Sequence, residues 1–291
     1  MNLETLFTTC QRRLDNLFNQ YLKNDVSDAP ELQNAMAYSV YNGGKRIRPA
    51  FVYASHSIFN APLENCDIAA CAVEFIHAYS LIHDDLPSMD NSDLRRGKPS
   101  NHKMFGDAIA ILAGDTLQPL AFEIIATHPA PLSPEQRVKM TATLAHASGF
   151  NGMTAGQTLD IKGVNTLETL TEMYQLKTGA LLKASLQLGA IAANIQDNKI
   201  LKALDQFAQS IGLAFQIQDD LLDIESPDTT GKPQRLDVAN NKITYPSLLG
   251  IEKTHTKIDE LFTNALTSIT ILGEKGEILR ELAHYLMQRK M

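Results

Sequence analysis

Apolar residues recur at three- and four-residue intervals along almost all of this 291-residue chain, and strand-like alternation is almost absent. That period is the helical one, so the chain is restricted to helices packed on helices. Leu3, Leu6, Phe7, Leu14, Leu17, Phe18 and Tyr21 set the pattern over residues 3–22. The same spacing predicts helices at about 31–42, 48–59, 65–86, 103–126, 134–149, 166–190, 198–223, 243–250, 254–271 and 276–289. Ser133-Pro134-Glu135-Gln136 is a capping box with proline at the first helical position, and Asn165-Thr166-Leu167-Glu168 opens the next helix in the same manner. Breakers collect at 87–101, around 128–134 and at 225–241, but none has the length or low complexity of a linker. The expectation is one all-α domain over residues 1–291, a large helical bundle. The helices at 65–86, 103–126 and 198–223 are apolar on more than one face and are expected at its centre.

Composition excludes several classes. With 26 basic against 33 acidic side chains and no basic block, the chain is a poor binder of nucleic acid, whose affinity rests on Lys and Arg neutralising phosphates. Cys10, Cys66 and Cys71 are odd in number and form no C-x-x-C pair, which suits a reducing cytoplasm. The start carries Glu4 and lacks the apolar stretch of a signal peptide. The stretch Ile68 to Leu86 is interrupted by Glu74, His77, His83, Asp84 and Asp85, so it reads as a buried helix. No stable membrane insertion is expected.

Two apolar helices end in aspartates. One closes Tyr79-Ser80-Leu81-Ile82-His83-Asp84-Asp85-Leu86-Pro87-Ser88-Met89-Asp90, the other Phe215-Gln216-Ile217-Gln218-Asp219-Asp220-Leu221-Leu222-Asp223. Gln216, Asp219 and Asp223 share one helical face. Pro87 ends the first helix near Leu86, and the following turn can fold Asp90 back beside Asp84. Two carboxylates about 4 Å apart repel by about 4 kcal/mol at an effective dielectric of about 20. Helix C-termini carry partial negative charge and add to that penalty. A hard divalent cation removes both, and Mg²⁺ typically takes one or two carboxylates, several waters and substrate phosphates. Six of the 33 acidic residues lie in these two clusters, leaving 27 against 26 basic ones. The excess negative charge is thus a local one, suited to metal and, through metal, to phosphate.

Basic groups complete the pattern. Gly43-Gly44-Lys45-Arg46-Ile47-Arg48-Pro49 puts three cations and two glycines at a helix junction, suited to an anion approached by backbone. Arg95-Arg96-Gly97 follows the first cluster, and Lys232 and Lys242 follow the second. Lys177-Thr178-Gly179 falls inside a predicted helix, where glycine costs about 1 kcal/mol relative to alanine and marks a bend or a close approach. Together these outline two anion sites, one reached through metal and one directly by Lys and Arg.

The chain resembles the bacterial farnesyl diphosphate synthases of the trans-isoprenyl diphosphate synthase family. The likeness is carried, in family order, by Gly43–Pro49, Ser80–Pro87, Asp93-Leu94-Arg95-Arg96-Gly97, Ala110-Ile111-Leu112-Ala113-Gly114-Asp115, Gly152-Met153-x-x-Gly156-Gln157, Lys177-Thr178-Gly179 and Phe215–Asp223. The resemblance implies an isoprenoid-synthase bundle with a central active-site cavity. The implied activity is Mg²⁺-dependent elongation of an allylic diphosphate by isopentenyl diphosphate. Three ions are expected once the allylic diphosphate is bound, with Mn²⁺ as a substitute. It makes Asp84, Asp90 and Asp219 metal ligands, with Asp85 and Asp220 helping directly or through water. Arg95, Lys177 and Lys232 hold the allylic diphosphate, with Lys242 close by. Lys45, Arg48, His77 and Arg96 form the metal-free isopentenyl diphosphate site. Thr178 and Gln216 are similar to residues that stabilise the allylic cation. A homodimer is implied as well.

Tyr79 and Ser80 sit about one turn before Asp84, on the wall down which a growing chain extends. In the family, an aromatic residue at Tyr79, with four residues between Asp85 and Asp90, is similar to farnesyl-forming enzymes; a geranylgeranyl-forming enzyme is the alternative. Two departures stand out: Asn240-Asn241 precede Lys242 where relatives often carry glycine, and Asp107 stands where glutamate is common. The 225–241 segment carries Lys232 and reads as a closing loop. Other classes fit parts of the pattern. His56, His83-Asp84 and Asp160 imitate an HD-type metal phosphohydrolase. Glu74-x-x-His77, Glu252-x-x-His255 and Glu281-x-x-His284 have the spacing of a di-iron bundle. A terpene cyclase shares the aspartates without needing Lys45, Arg48 and His77, and a non-catalytic helical subunit would not keep both aspartate motifs.

Overall fold

The computed structural model describes residues 2–22, 28–225 and 243–288, with the side chain of Glu225 excepted. Lys232, Lys242, Asn240, Asn241 and residues 226–241 of the expected closing loop lie outside them. Helix α1 (Leu3–Leu22) is followed by α2 (Pro30–Tyr41), α3 (Ile47–Ser57) and α4 (Glu64–Asp84). A two-residue antiparallel hairpin, β1 (Leu94–Arg95) with β2 (Lys98–Pro99), pairs Arg95 with Lys98. Next come α5 (Asn101–Phe105), α6 (Asp107–Thr127), α7 (Pro134–Ser148), α8 (Met153–Lys162) and α9 (Leu167–Tyr174). A π-helical turn (Gln175–Gly179) joins α9 to α10 (Ala180–Ala192), then α11 (Asn198–Glu225), α12 (Tyr245–Leu249) and α13 (Ile251–Ser268). A 3₁₀ stretch (Thr270–Gly276) leads into α14 (Glu277–Met287).

The all-α expectation holds, with instructive differences. The predicted 103–126 helix is two helices, because Gly106 at φ 82° breaks the run. Helix α8 has no counterpart among the predicted helices: Gly152, Gly156 and Gly163 depress its propensity, and close packing supplies what propensity lacks. The predicted 166–190 helix is interrupted by the π-turn at Lys177-Thr178. The capping box at Ser133 is present, Gln136 N donating to Ser133 Oγ at 3.2 Å and Ser133 N to Gln136 Oε1 at 3.0 Å. At the α9 start the cap is Thr166, answered by Thr169, one residue beyond the expected position.

Helix α4 lies at the centre, buried along most of its length and packed on α3, α6 and α10. Helix α3 is buried continuously from Pro49 to His56, and α10 approaches it so closely that a Cβ at Gly189 would collide with Ser55 and Val52. These two share the centre with α4. Helix α6 does not, contrary to expectation: Ile111 is 43% and Leu112 49% exposed. It is also the one described helix long and apolar enough, by length and composition, to cross a membrane, and 39% of its most apolar stretch is buried inside the fold. A second apolar cluster, with Leu170, Met173, Tyr174, Ile217 and Tyr245, joins α9, α11 and α12.

Candidate active site

The site is built where helices stop. Helix α4 ends at Asp84, two residues before the predicted end, and the chain then doubles back: Asp90 N donates to the Asp84 carbonyl at 2.9 Å and Ser92 N to that of Asp85 at 3.2 Å. The fold-back anticipated for Asp90 is therefore present. Burial pushes the Asp84 carboxyl up to about 6, opposed by the Lys177 ammonium and reinforced by Asp90. Its neighbour faces elsewhere. Buried Asp85 accepts from Arg95, Nη2 to Oδ1 at 2.5 Å and Nε to both oxygens at 3.1 Å.

On the other side, α11 carries Gln216, Asp219, Asp220 and Asp223 near its end. Thr178 Oγ1 donates to Gln216 Oε1 at 2.6 Å, and Gln216 Nε2 reaches Asp219 Oδ2 at 3.4 Å. Asp220 is buried and uses its two oxygens on the Tyr174 hydroxyl (2.7 Å) and the Tyr245 backbone N–H (2.9 Å). It ties α9 and α12 to α11. Asp223 Oδ2 is buried without a hydrogen-bond partner. Among the described residues no three His, Cys, Asp or Glu side chains are gathered to hold an ion by themselves.

Lys177 lies in the π-turn, where its charge acts on Asp84, with Nζ 2.5 Å from Asp160 Oδ2 of α8. A Cβ on Gly156 would collide with the Lys177 backbone N and Cα, so α8 meets the π-turn backbone to backbone. Overpacking a buried contact costs about 1–3 kcal/mol. Gly156→Ala is accordingly expected to lower stability by that amount in urea denaturation and to lower turnover; wild-type values for both would show that the contact yields.

The cationic residues gather in a separate pocket. Gly43 and Gly44 have φ of 73° and 109°, and Arg46 and Arg96 adopt left-handed backbone at 48° and 55°. Left-handed arginines cost energy, and their occurrence in pairs marks a site. The Arg96 guanidinium lies on this loop, donating to the Gly43 carbonyl, and a Cβ at Gly44 would come within 2.6 Å of it. Lys45, Arg48, His77 and Arg96 line one open cavity of about 530 Å³ with Gly43 and Gly44. Burial lowers the Arg48 guanidinium to about 10, with Glu74 acting against the fall, and Arg48 Nε is unpartnered. Burial, then Arg48 and Arg96, hold His77 well below its ordinary range, so it is neutral. One acid enters this pocket: Glu74, 2.5 Å from Arg46, the pair almost wholly enclosed. Tyr79 packs edge-on against His83 at 5.6 Å, and Ser80 Oγ is turned onto the His77 carbonyl at 2.9 Å.

The structure thus brings Lys45, Arg48, His77 and Arg96 together, and sets Lys177 near Asp84 and Thr178 on the Gln216 that neighbours Asp219. Sequence reasoning met Glu74 and Asp160 only in the competing di-iron and phosphohydrolase readings, and Gln157 only inside the family-like Gly152–Gln157 stretch, and gave none of them a role in the site. Gln157 is buried with both amide atoms unpartnered, and the i,i+3 pair Gln157-x-x-Asp160 was the available signal. Among the described residues the competing metal constellations are not assembled. His56 is bonded to the carbonyls of Gly189 and Pro62, His83 to that of Ile111, Asp160 to Lys177 and Glu74 to Arg46.

The family model described as Polyprenyl synthetase matches residues 29–279. This chain belongs to that family. It is 45% identical to the farnesyl diphosphate synthase of Escherichia coli K12 over 284 residues, covering 93% of this chain and 95% of the relative. To the farnesyl diphosphate synthase of Haemophilus influenzae it is 41% identical, covering 96% of each. The fold matches an apo FPP/GFPP synthase from Zymomonas mobilis at a TM-score of 0.88 and 40% identity, over 97% of this chain and 98% of that one.

Proposed function

We infer that this chain is a farnesyl diphosphate synthase, a prenyltransferase that condenses isopentenyl diphosphate with dimethylallyl and then geranyl diphosphate. One observation carries this reading: two anion sites of opposite character lie side by side, acidic helix ends around Lys177 and a cationic pocket around Arg48 and His77. A single domain over 1–291 holds both.

Magnesium fits the acidic half. Asp84 is costly to ionise where it stands, Asp223 Oδ2 has no partner, and both helices deliver carboxylates at their C-terminal ends. Asp84, Asp90 and Asp219 are the proposed ligands, with diphosphate oxygens and water completing each shell for up to three ions. Asp85 and Asp220 act at one remove, orienting Arg95 and anchoring Tyr174 and Tyr245. When bound, the metal stabilises the charge that develops on the leaving diphosphate.

The chain's own residues do the rest. Arg95, Lys177 and Lys232, with Lys242 close by, bind the allylic diphosphate; Lys45, Arg48, Arg96 and neutral His77, a hydrogen-bond donor, bind isopentenyl diphosphate. Breaking the allylic carbon–oxygen bond leaves a cation beside Thr178 and Gln216, whose oxygens are locked together and offer neutral dipoles. Apolar walls exclude the water that would trap it. The isopentenyl double bond attacks, a carbon–carbon bond forms, and the proton lost goes to the departing diphosphate. No protein nucleophile takes part.

The test is incubation with Mg²⁺, isopentenyl diphosphate and geranyl diphosphate, followed by chromatography. A C15 diphosphate is expected. A C20 product would support the geranylgeranyl alternative, free phosphate without elongation a hydrolase, and no turnover a binding subunit. Tyr79, one turn before His83 on α4, is the proposed floor of the product channel. Tyr79→Ala is expected to shift products from C15 to C20 and longer, and an unchanged chain length would remove it from that role.

We place the enzyme in the cytoplasm, in keeping with three buried free cysteines. A second copy of the chain is the proposed cover for the exposed apolar face of α6 around Ile111 and Leu112.

A further inference from the structure

Asp160 has no role in the reaction derived above, yet it stands against the lysine whose charge acts on Asp84. Its side chain is 10% exposed and its Oδ2 lies 2.5 Å from Lys177 Nζ. Lys177 is also the strongest charge acting on Asp84. Asp160 and Asp84, from α8 and α4, therefore compete for one ammonium carried by a third element. The backbone of that element is clamped. Gly156, one turn before Asp160, packs on Lys177 N and Cα; a Cβ on Gly212 of α11 would lie 3.4 Å from Gly179 Cα; and the intervening Thr178 bonds Gln216. With the backbone held, what remains free is the swing of a flexible four-carbon side chain ending in a compact charge.

We propose that Asp160 is a positioning residue for prenyl transfer: its ion pair holds the Lys177 ammonium off Asp84, so that Lys177 meets the allylic diphosphate as a preset donor. Asp84 is thereby left open to magnesium. Without Asp160 the ammonium collapses onto Asp84, and the diphosphate site loses a donor and a metal ligand in one movement. The proposal rests on the prenyltransferase reading given above. Asn keeps the shape of Asp160 and removes its charge, whereas Glu keeps the charge.

The experiment compares wild type, D160N, D160E, K177M and D160N/K177M as full-length proteins. Wild type must first elongate geranyl diphosphate, to C15 or longer; if it does not, the prenyltransferase reading fails. Calorimetry with Mg²⁺ and inorganic pyrophosphate then still tests Lys177 placement. For D160N, kcat is expected to fall about tenfold or more, as for loss of a transition-state interaction, with KM for isopentenyl diphosphate unchanged. The Mg²⁺ concentration for half-maximal rate should rise several-fold, and calorimetric affinity for Mg²⁺–pyrophosphate should weaken in parallel. D160E should recover part of both. D160N/K177M should be no worse than K177M, since two residues acting as a unit are non-additive. Wild-type turnover, Mg²⁺ requirement and pyrophosphate affinity in D160N would overturn the proposal, as would effects of D160N and K177M that multiply. Should D160N fail to fold, D160E decides. A displaced Mg²⁺ requirement at unchanged melting temperature supports the proposal, and an unchanged requirement overturns it.

Discussion

Asp84→Asn is expected to abolish prenyl transfer and, at the same time, to make the magnesium-free protein more stable. The loss should exceed about a thousandfold in kcat, or roughly 4 kcal/mol of transition-state stabilisation, because Asp84 is a proposed ligand of the metal that neutralises the diphosphate charge. The gain in stability follows from burial. In the folded protein the Asp84 carboxyl is raised from an ordinary 3.8 to about 6, desolvation being the main cause. Between those two values the folded state binds more protons than the unfolded one, so stability falls as pH rises through that window and the full penalty is present above it. That rise corresponds to about 3 kcal/mol. At neutral pH, with magnesium chelated, the asparagine variant should therefore melt higher than wild type, and the two should converge below about pH 4. Equal melting temperatures at pH 7 would show that Asp84 is better solvated than its surroundings indicate. Wild-type turnover in the variant would remove Asp84 from the metal site.

Glu74→Ala is expected to cost about 3–5 kcal/mol of folding stability, the penalty for leaving one partner of a buried ion pair uncompensated. Arg46 and Glu74 lie 2.5 Å apart with side chains 5% and 3% exposed, and Arg46 also donates to the Val40 carbonyl and covers the Phe18 ring. The loss extends beyond the pair. Glu74 is the counter-charge that acts against the lowering of Arg48 and Arg96, so its removal leaves the substrate cations repelling one another. KM for isopentenyl diphosphate should rise while KM for the allylic substrate holds. Urea denaturation measures the first effect and steady-state kinetics the second. A stability change below about 1 kcal/mol would place the pair in the range of solvent-screened surface bridges.

The two halves of the site differ in how far they could be read from the chain. The aspartate ends were legible because helical spacing alone puts Gln216, Asp219 and Asp223 on one face, and because Pro87 must stop α4 close to Asp84. Gly43-Gly44-Lys45-Arg46-Ile47-Arg48 was legible for a related reason, since glycines and cations crowded at a helix junction have few other uses. In both cases the information lies within a few residues, where backbone geometry ties sequence distance to spatial distance.

Amino-acid order by itself therefore determined the helical class and the two charged motifs. What each charge does was decided by partners far along the chain. Asp84 and Asp85 are adjacent and chemically identical, yet the tertiary structure leaves the first near Lys177 and sends the second to Arg95. Asp219 stays beside Gln216, whereas Asp220 is consumed by Tyr174 and Tyr245. Glu74 had the spacing of a di-iron ligand and turned out to be the counter-ion of Arg46. Helix α8 exists because Gly156 fits against the Lys177 backbone, a close approach that no local propensity encodes. Successive helical residues point about 100° apart, so neighbours in sequence are sent to different environments, and only the packing of the bundle decides which environment each one meets.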